Sequence, residues 1–448
     1  MLTAFTNFIE LHLAGPMAKI ANQRHLRAIR DGIIATLPLI IVGSFFLIIA
    51  FPPLPQSWGI YQFLSSNAAT ILLPYRMTMY IMSLYATFGI GASLSKTYNL
   101  DVVSGGILST IAFLLTFVPV NIPLEAADAA GTSGFVLPMA NLGGGGMFVG
   151  IITSIFAVEV YRLTDKSKFK ITMPDQVPPA VARSFESLTP TLIVILVIST
   201  ISYYIGFDWH SAVSKIVSPL ISATDTLPSV LLLIFMITFF WAFGIHGVSI
   251  IGSLARPLWL QILEANTTAA AAGETLPNIA AEPFYQWFIW IGGSGCTIGL
   301  AILLAFTAKS KYASKLGKAI ITPSIFNINE PVIFGVPIVL NPTLIIPFIL
   351  TPMACATIAW FATRLGFVSA VTITAPWTLP GPIGAYLATG GDWRAAVLNC
   401  LLIVLSVVMY YPFVKIYDKN ELAKEHALEQ EKTETEELVS TTVVESKS

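Results

Sequence analysis

Between Ile325 and Asn341 the chain reads Ile-Phe-Asn-Ile-Asn-Glu-Pro-Val-Ile-Phe-Gly-Val-Pro-Ile-Val-Leu-Asn, and Glu330 stands there in otherwise neutral, largely apolar sequence. An ionisable group in such a setting costs about 2.5–3.5 kcal/mol to insert into a bilayer unless it faces a cavity or a partner. Pro331 removes a backbone donor and disfavours helix at Glu330, which puts the carboxylate at a break in the chain, near the tip of a re-entrant hairpin. Asn327, Asn329 and Asn341 add amides able both to donate and to accept. A carboxylate ringed by amides suits a neutral polyhydroxylated ligand such as a sugar. Pairing of Glu330 with a buried cation is the competing explanation.

His246 closes an apolar run in Trp241-Ala-Phe-Gly-Ile-His246-Gly-Val-Ser249. Alone it would read as a core histidine. Trp241, about one and a half helical turns away, offers an apolar face to a sugar ring, and Gly244 and Gly247 allow close backbone approach. His246 and Glu330 together can orient a sugar hydroxyl and take its proton when phosphate is transferred, with Glu330 the preferred base. Trp377, in Ala375-Pro-Trp-Thr-Leu-Pro380, is a second platform or else an interfacial belt residue. Asn141-Leu-Gly-Gly-Gly-Gly146 has neither a Walker lysine nor a preceding strand, so it is expected to turn the chain, with Asn141 a candidate ligand contact. Arg256 lacks an obvious partner, since Glu264 lies eight residues on. Glu159 and Arg162 form a structural i, i+3 pair. Cys296, Cys355 and Cys400 stand singly and read as small core residues, and no metal or cofactor motif is expected.

The elements that must position these groups are membrane helices. Of 448 residues 55% are hydrophobic and 11% charged, with a mean hydropathy of +0.76, whereas soluble domains carry roughly 25% charged residues. Apolar runs recur at roughly 33–51, 77–96, 102–120, 146–162, 189–206, 228–245, 249–264, 284–307, 343–365 and 395–415. Each must satisfy its backbone internally, and period-two alternation is missing, so the fold class is all-α and polytopic, with about ten spans. The stretches 121–146, 320–342 and 367–392 are apolar but rich in proline or glycine, as re-entrant hairpins lining a cavity would be. The run 249–264, with Arg256 and Pro257, is short enough for a hairpin but is read as a span, because placing Lys309, Lys311, Lys315 and Lys318 inside requires one net crossing before them.

With the N-terminus cytoplasmic, 19 of the 24 Lys and Arg residues fall inside, so the positive-inside rule places both termini in the cytoplasm. The first run carries no secretory cleavage site and is expected to stay in the mature protein. The expected organisation is an N-terminal membrane half (1–206, amphipathic at its start), a C-terminal membrane half (207–416) and a charged, solvated tail (417–448), helical near Asn420 to Glu437 and frayed beyond. A net charge of −1 implies no nucleic-acid partner.

The chain resembles the membrane-embedded IIC permeases of the lactose, cellobiose and diacetylchitobiose class of phosphotransferase system. The resemblance rests on His25-Leu-Arg-Ala-Ile-Arg-Asp-Gly32, Met173-Pro-Asp-Gln-Val-Pro-Pro-Ala-Val-Ala-Arg-Ser-Phe185, Phe243-Gly-Ile-His-Gly247, Trp290-Ile-Gly-Gly-Ser-Gly295, Phe326-Asn-Ile-Asn-Glu-Pro331 and Ala375-Pro-Trp-Thr378. It implies a homodimer in the bacterial plasma membrane whose C-terminal half carries a bound disaccharide between outward-facing and inward-facing positions. It also implies that a cytoplasmic IIB protein, bearing a phosphocysteine, phosphorylates the sugar's 6-hydroxyl. The family's site roles fall on His246 and Glu330 near that hydroxyl, with Trp241, Asn329 and Trp377 around the rings. No cysteine-bearing soluble domain follows the tenth run, so IIB is expected to be a separate protein and the sugar a cellobiose-like or chitobiose-like β-glucoside. Residues 265–283 match nothing in that frame. An ion-coupled sugar symporter is the alternative, disfavoured because Glu330 is nearly alone at membrane depth.

Overall fold

The computed structural model describes residues 23–445, apart from 53, 55–56, 124–132, 175, 337 and 340. The expected amphipathic N-terminal segment lies largely outside the described residues. Chain order begins with α1 (Arg24–Ile34), α2 (Leu37–Ala50), α3 (Met82–Thr97) and α4 (Val102–Leu114), with short helical pieces between α2 and α3. A two-stranded ribbon, β1 (Val120–Ile122) and β2 (Gly134–Val136), pairs antiparallel with Val120 opposite Val136. Then follow α5 (Met147–Asp165), α6 (Leu188–Ser199), α7 (Trp209–Thr224), α8 (Leu227–Ala242) and α9 (Gly247–Ala272). The remainder comprises α10 (Glu282–Phe288), α11 (Ile298–Thr307), α12 (Lys311–Ile325), α13 (Glu330–Gly335), α14 (Pro342–Arg364), α15 (Gly381–Ala388) and α16 (Trp393–Glu445).

Each of the ten apolar runs carries a helix. Among the described residues, six helical stretches are long and apolar enough to cross a membrane unaided, from Arg24–Ala50 to Trp393–Gln430. The pair α7 and α8 would make a seventh but is bent by 82°. Helices α4 and α11 are apolar but shorter. The run at 249–264 is not a hairpin: α9 continues for 26 residues through Pro257. The His246 imidazole starts it by accepting the Ser249 N–H, and Gly273, at φ +72°, stops it in the left-handed conformation that favours glycine.

In the N-terminal part α3 packs against α1, α4 and α5. Small residues make this approach possible, as is usual where lipid supplies no hydrophobic drive between helices. A Cβ at Gly32 would meet the backbone of Ile90, and one at Gly105 the Ser95 side chain. Glu159 pairs with Arg162 at 2.6 Å as expected, and also binds His25 at 3.0 Å.

Where they are described, the three irregular stretches break between short helices and turns, and the 367–392 stretch is held by protein hydrogen bonds. Residues 265–283, unassigned from sequence, are a staple. Asn266 Nδ2 donates to the carbonyls of Asn278 (2.8 Å) and Val371 (2.9 Å), Thr267 donates to Thr372 O (2.8 Å), and Asp225 accepts from Ile279 and Ala280 N–H. The end of α9 is thus lashed to the 367–392 hairpin, which returns on itself where Thr372 N–H meets Ala388 O at 2.8 Å.

Two expectations need correction. Cys296 and Cys355 are buried, with sulfurs 3.8 Å apart, but Cys400 is exposed, on the outward face of α16, where an apolar thiol suits lipid as well as a core. The tail is not merely solvated: α16 runs on without a break to Glu445, and Asp418 and Glu425 bind the backbone at the start of α12.

Candidate functional site

The tips of the broken segments meet around a cavity of about 320 Å³. Trp241 and His246 reach it from the α8–α9 junction, Asn327, Asn329 and Glu330 from the turn between α12 and α13, and Trp377 from the turn before α15. Arg256, Glu282, Trp287 and Trp290 complete the opposite wall. Six of the eight residues singled out from sequence therefore line one space; Asn341 instead caps α14, its Oδ1 accepting the Thr343 N–H at 3.1 Å. Asn141 does not join them. It lines a separate polar pocket with Asp208, His210 and Gln261, because the Gly143–Gly146 turn folds away from the cavity.

Glu330 is the first residue of α13 and half exposed to the cavity; its Oε1 lies 3.9 Å from His246 Nε2. That gap is too long for a direct hydrogen bond and leaves room for one hydroxyl oxygen within reach of both. His246 Nδ1 accepts the Ser249 N–H at 3.1 Å and lies 2.9 Å from the Ser249 hydroxyl. Nδ1 is therefore unprotonated, and the neutral ring carries its proton on Nε2, facing Glu330. The Trp241 ring lies over the imidazole with centroids 4.3 Å apart. The geometry suits a hydroxyl that accepts from His246 and gives its proton to Glu330.

Asn327 turns out to be a strut. Its backbone sits at φ +60°, which asparagine tolerates. Its Oδ1 accepts from Gly292 N–H at 2.9 Å, and its Nδ2 donates to Trp377 O and Leu379 O at 2.9 and 3.0 Å. One amide ties three irregular segments together and has little left for a ligand. Asn327→Ala should lower stability by about 2 kcal/mol, since partner groups lose their bonds in a dry setting; thermal unfolding in detergent would read this. In contrast, Asn329 Nδ2 and the indole N–H groups of Trp241, Trp287 and Trp290 are buried and meet no protein acceptor among the described residues. The four residues that carry those donors line the cavity.

Sequence reasoning missed the Arg256–Glu282 pair. The guanidinium grips the carboxylate with Nη2–Oε1 at 2.7 Å and Nε 3.1 Å from both oxygens. Arg256 stands alone in its own helix, and its partner lies 26 residues on in the unmapped stretch; the isolated cation was the signal. Glu264, the partner considered from sequence, instead accepts the Gly145 N–H at 3.1 Å. The glycine turn thus serves an acid of the protein itself.

A multi-pass helical protein whose hairpin tips enclose an acid, an imidazole and tryptophan faces is a solute permease in class. Residues 30–352 match the family model described as Phosphotransferase system, EIIC. The chain is 40% identical to the lichenan permease IIC component of Bacillus subtilis (strain 168), over 92% of this chain and 93% of that protein. It is 38% identical to the cellobiose-specific EIIC component of Geobacillus stearothermophilus, over 94% and 96%. Against the lactose-specific EIICB component of Staphylococcus haemolyticus (strain JCSC1435) it is 32% identical, over 94% of this chain and 72% of that one. The crystal structure of the transporter ChbC, the IIC component from the N,N'-diacetylchitobiose-specific phosphotransferase system, superposes with a TM-score of 0.86 at 36% identity, covering 94% and 99% of the two chains. The chain belongs to the phosphotransferase system EIIC family, in its lactose, cellobiose and chitobiose branch. It is a multi-pass sugar permease of the bacterial membrane.

Proposed function

We propose that this permease takes up a β-linked disaccharide of the cellobiose type and presents its 6-hydroxyl to a phosphorylated IIB protein. The observation that carries the reading is the 3.9 Å gap between His246 Nε2 and Glu330 Oε1, bordered by tryptophan, in a cavity of about 320 Å³. His246 donates to the hydroxyl oxygen and holds it; Glu330 removes the proton as the oxygen bonds to phosphorus. The sulfur–phosphorus bond of the partner's phosphocysteine breaks, and the thiolate stays on IIB. Trp241 and Trp377 offer apolar faces to the rings, and Asn329 has a free donor for a ring hydroxyl. The cellobiose-type preference draws on the relatives named for cellobiose and lichenan. In this reading the subunit is a homodimer with both termini cytoplasmic.

Vesicles containing the protein, loaded with phosphorylated IIB and given labelled cellobiose outside, should accumulate labelled sugar phosphate and no free sugar. Free cellobiose rising against its gradient, driven by an ion and indifferent to IIB, would establish a symporter instead. A milder effect follows for the walls. Trp241→Ala and Trp377→Ala should each weaken sugar binding by about 0.5–1.5 kcal/mol, the order of an aromatic face contact, measured by equilibrium binding.

A further inference from the structure

The tail helix grips the hairpin that carries Glu330. Helix α12 begins with Ser310 as its cap, and the first backbone N–H groups of any helix have no partner within it. Here α16 supplies the acceptors. Asp418 accepts from Lys309 N–H (2.9 and 3.0 Å) and Ser310 N–H (2.9 Å). Glu425 accepts from the Ser310 hydroxyl (2.8 Å), Lys311 N–H (3.1 Å) and Tyr312 N–H (2.7 Å). The two acids are seven residues apart, two turns along one face of α16. Farther along, Lys311 Nζ reaches Glu429 at 3.1 Å.

The gripped turn is joined to the reacting group by two routes. Along the chain, α12 leads from the clasp to Ile325 and the Asn327 turn that delivers Glu330. Across the hairpin, the Tyr312 hydroxyl lies 3.4 Å from Gly335 O, at the far end of the six-residue helix that Glu330 begins, and a Cβ added at Gly335 would meet the Leu316 side chain. The residue whose N–H is held by Glu425 therefore also touches the helix bearing Glu330.

We propose that Asp418 and Glu425 are positioning residues, fixing α12 and through it the placement of the Glu330 carboxylate for proton removal. This rests on the function proposed above. The acids touch no sugar, so the chain's affinity for the disaccharide should be left alone while turnover falls. A misplacement of about 1 Å at the reacting centre suffices to slow a reaction tenfold or more.

The test uses the full chain in vesicles, with Asp418→Asn, Glu425→Gln and the double variant. Cellobiose affinity, IIB-dependent phosphorylation and backbone amide exchange are read together. The expected result for the double variant is about a tenfold loss of kcat, with cellobiose affinity within twofold of the parent. Amide exchange should quicken at Lys311, Tyr312 and the 328–333 segment. Unchanged kcat with faster exchange at Lys311 and Tyr312 would overturn the proposal, since the clasp would be open without consequence. A proportional loss of affinity, kcat and folded yield would overturn it too, as general destabilisation. If the parent protein transports without IIB, the functional reading has failed; the positioning claim is then judged on transport rate in the same vesicles, by the same two criteria.

Discussion

Glu330→Gln should reduce IIB-dependent phosphorylation of cellobiose by at least about a hundredfold, within the range that positioned general bases contribute, while sugar affinity changes by only a few-fold. Glutamine has the same length and still accepts a hydrogen bond, so the hydroxyl still finds a partner beside His246. It cannot take the proton. The substitution also removes a negative charge from the first turn of α13, worth about 0.3–1 kcal/mol at a helix N-terminus, far less than the kinetic effect. Rates come from transfer of labelled phosphate from IIB to sugar, and affinity from fluorescence of Trp241 and Trp377. Phosphorylation within tenfold of the parent would remove Glu330 from the reaction.

The largest stability effect is expected at Arg256→Ala. Side-chain exposures of 13% for Arg256 and 22% for Glu282 make this a largely desolvated pair. Removing one partner of such a pair costs about 3–5 kcal/mol, because the other charge stays where water cannot reach it well. The variant should melt well below the parent in detergent. Replacing both residues, Arg256→Met with Glu282→Leu, should recover most of the loss, since no charge is then stranded. A double variant no more stable than the single one would show that the pair contributes by its geometry and not by mutual neutralisation. Sugar affinity in that stable double variant separates a wall role from a contact with ligand.

What was legible in the sequence followed from the cost of placing polar groups in lipid. Glu330 and His246 were conspicuous because their neighbours could not explain them, and the prolines around them marked where helices must break. The hairpins were legible for the same reason. Pairings across sequence were not. Arg256 announced a need for an acid but not which one, and Glu282 lies in a stretch rich in alanine and threonine. Asn327 and Asn329 look alike in the motif, yet one amide is consumed by Gly292, Trp377 and Leu379 while the other stays free. That difference is set by the left-handed turn at Asn327, a tertiary outcome. Asn141 failed because a glycine turn fixes a chain reversal without fixing which wall it faces. For the tail, composition showed the charge and the helix near Asn420 to Glu437, but not that Asp418 and Glu425 cap α12, since a run of acids does not name its partner.

The uncommitted donors of Trp241, Trp287, Trp290 and Asn329 have a consequence for what else enters the cavity. In a bilayer the ever-present rival for an aromatic recess is an acyl chain, which would fill the space and fit the rings. It would strand all four N–H groups, and a recess built to hydrogen-bond its guest disfavours an occupant lacking acceptors by several orders of magnitude. On the function proposed above, the recess that serves carbohydrate is thereby a poor host for lipid.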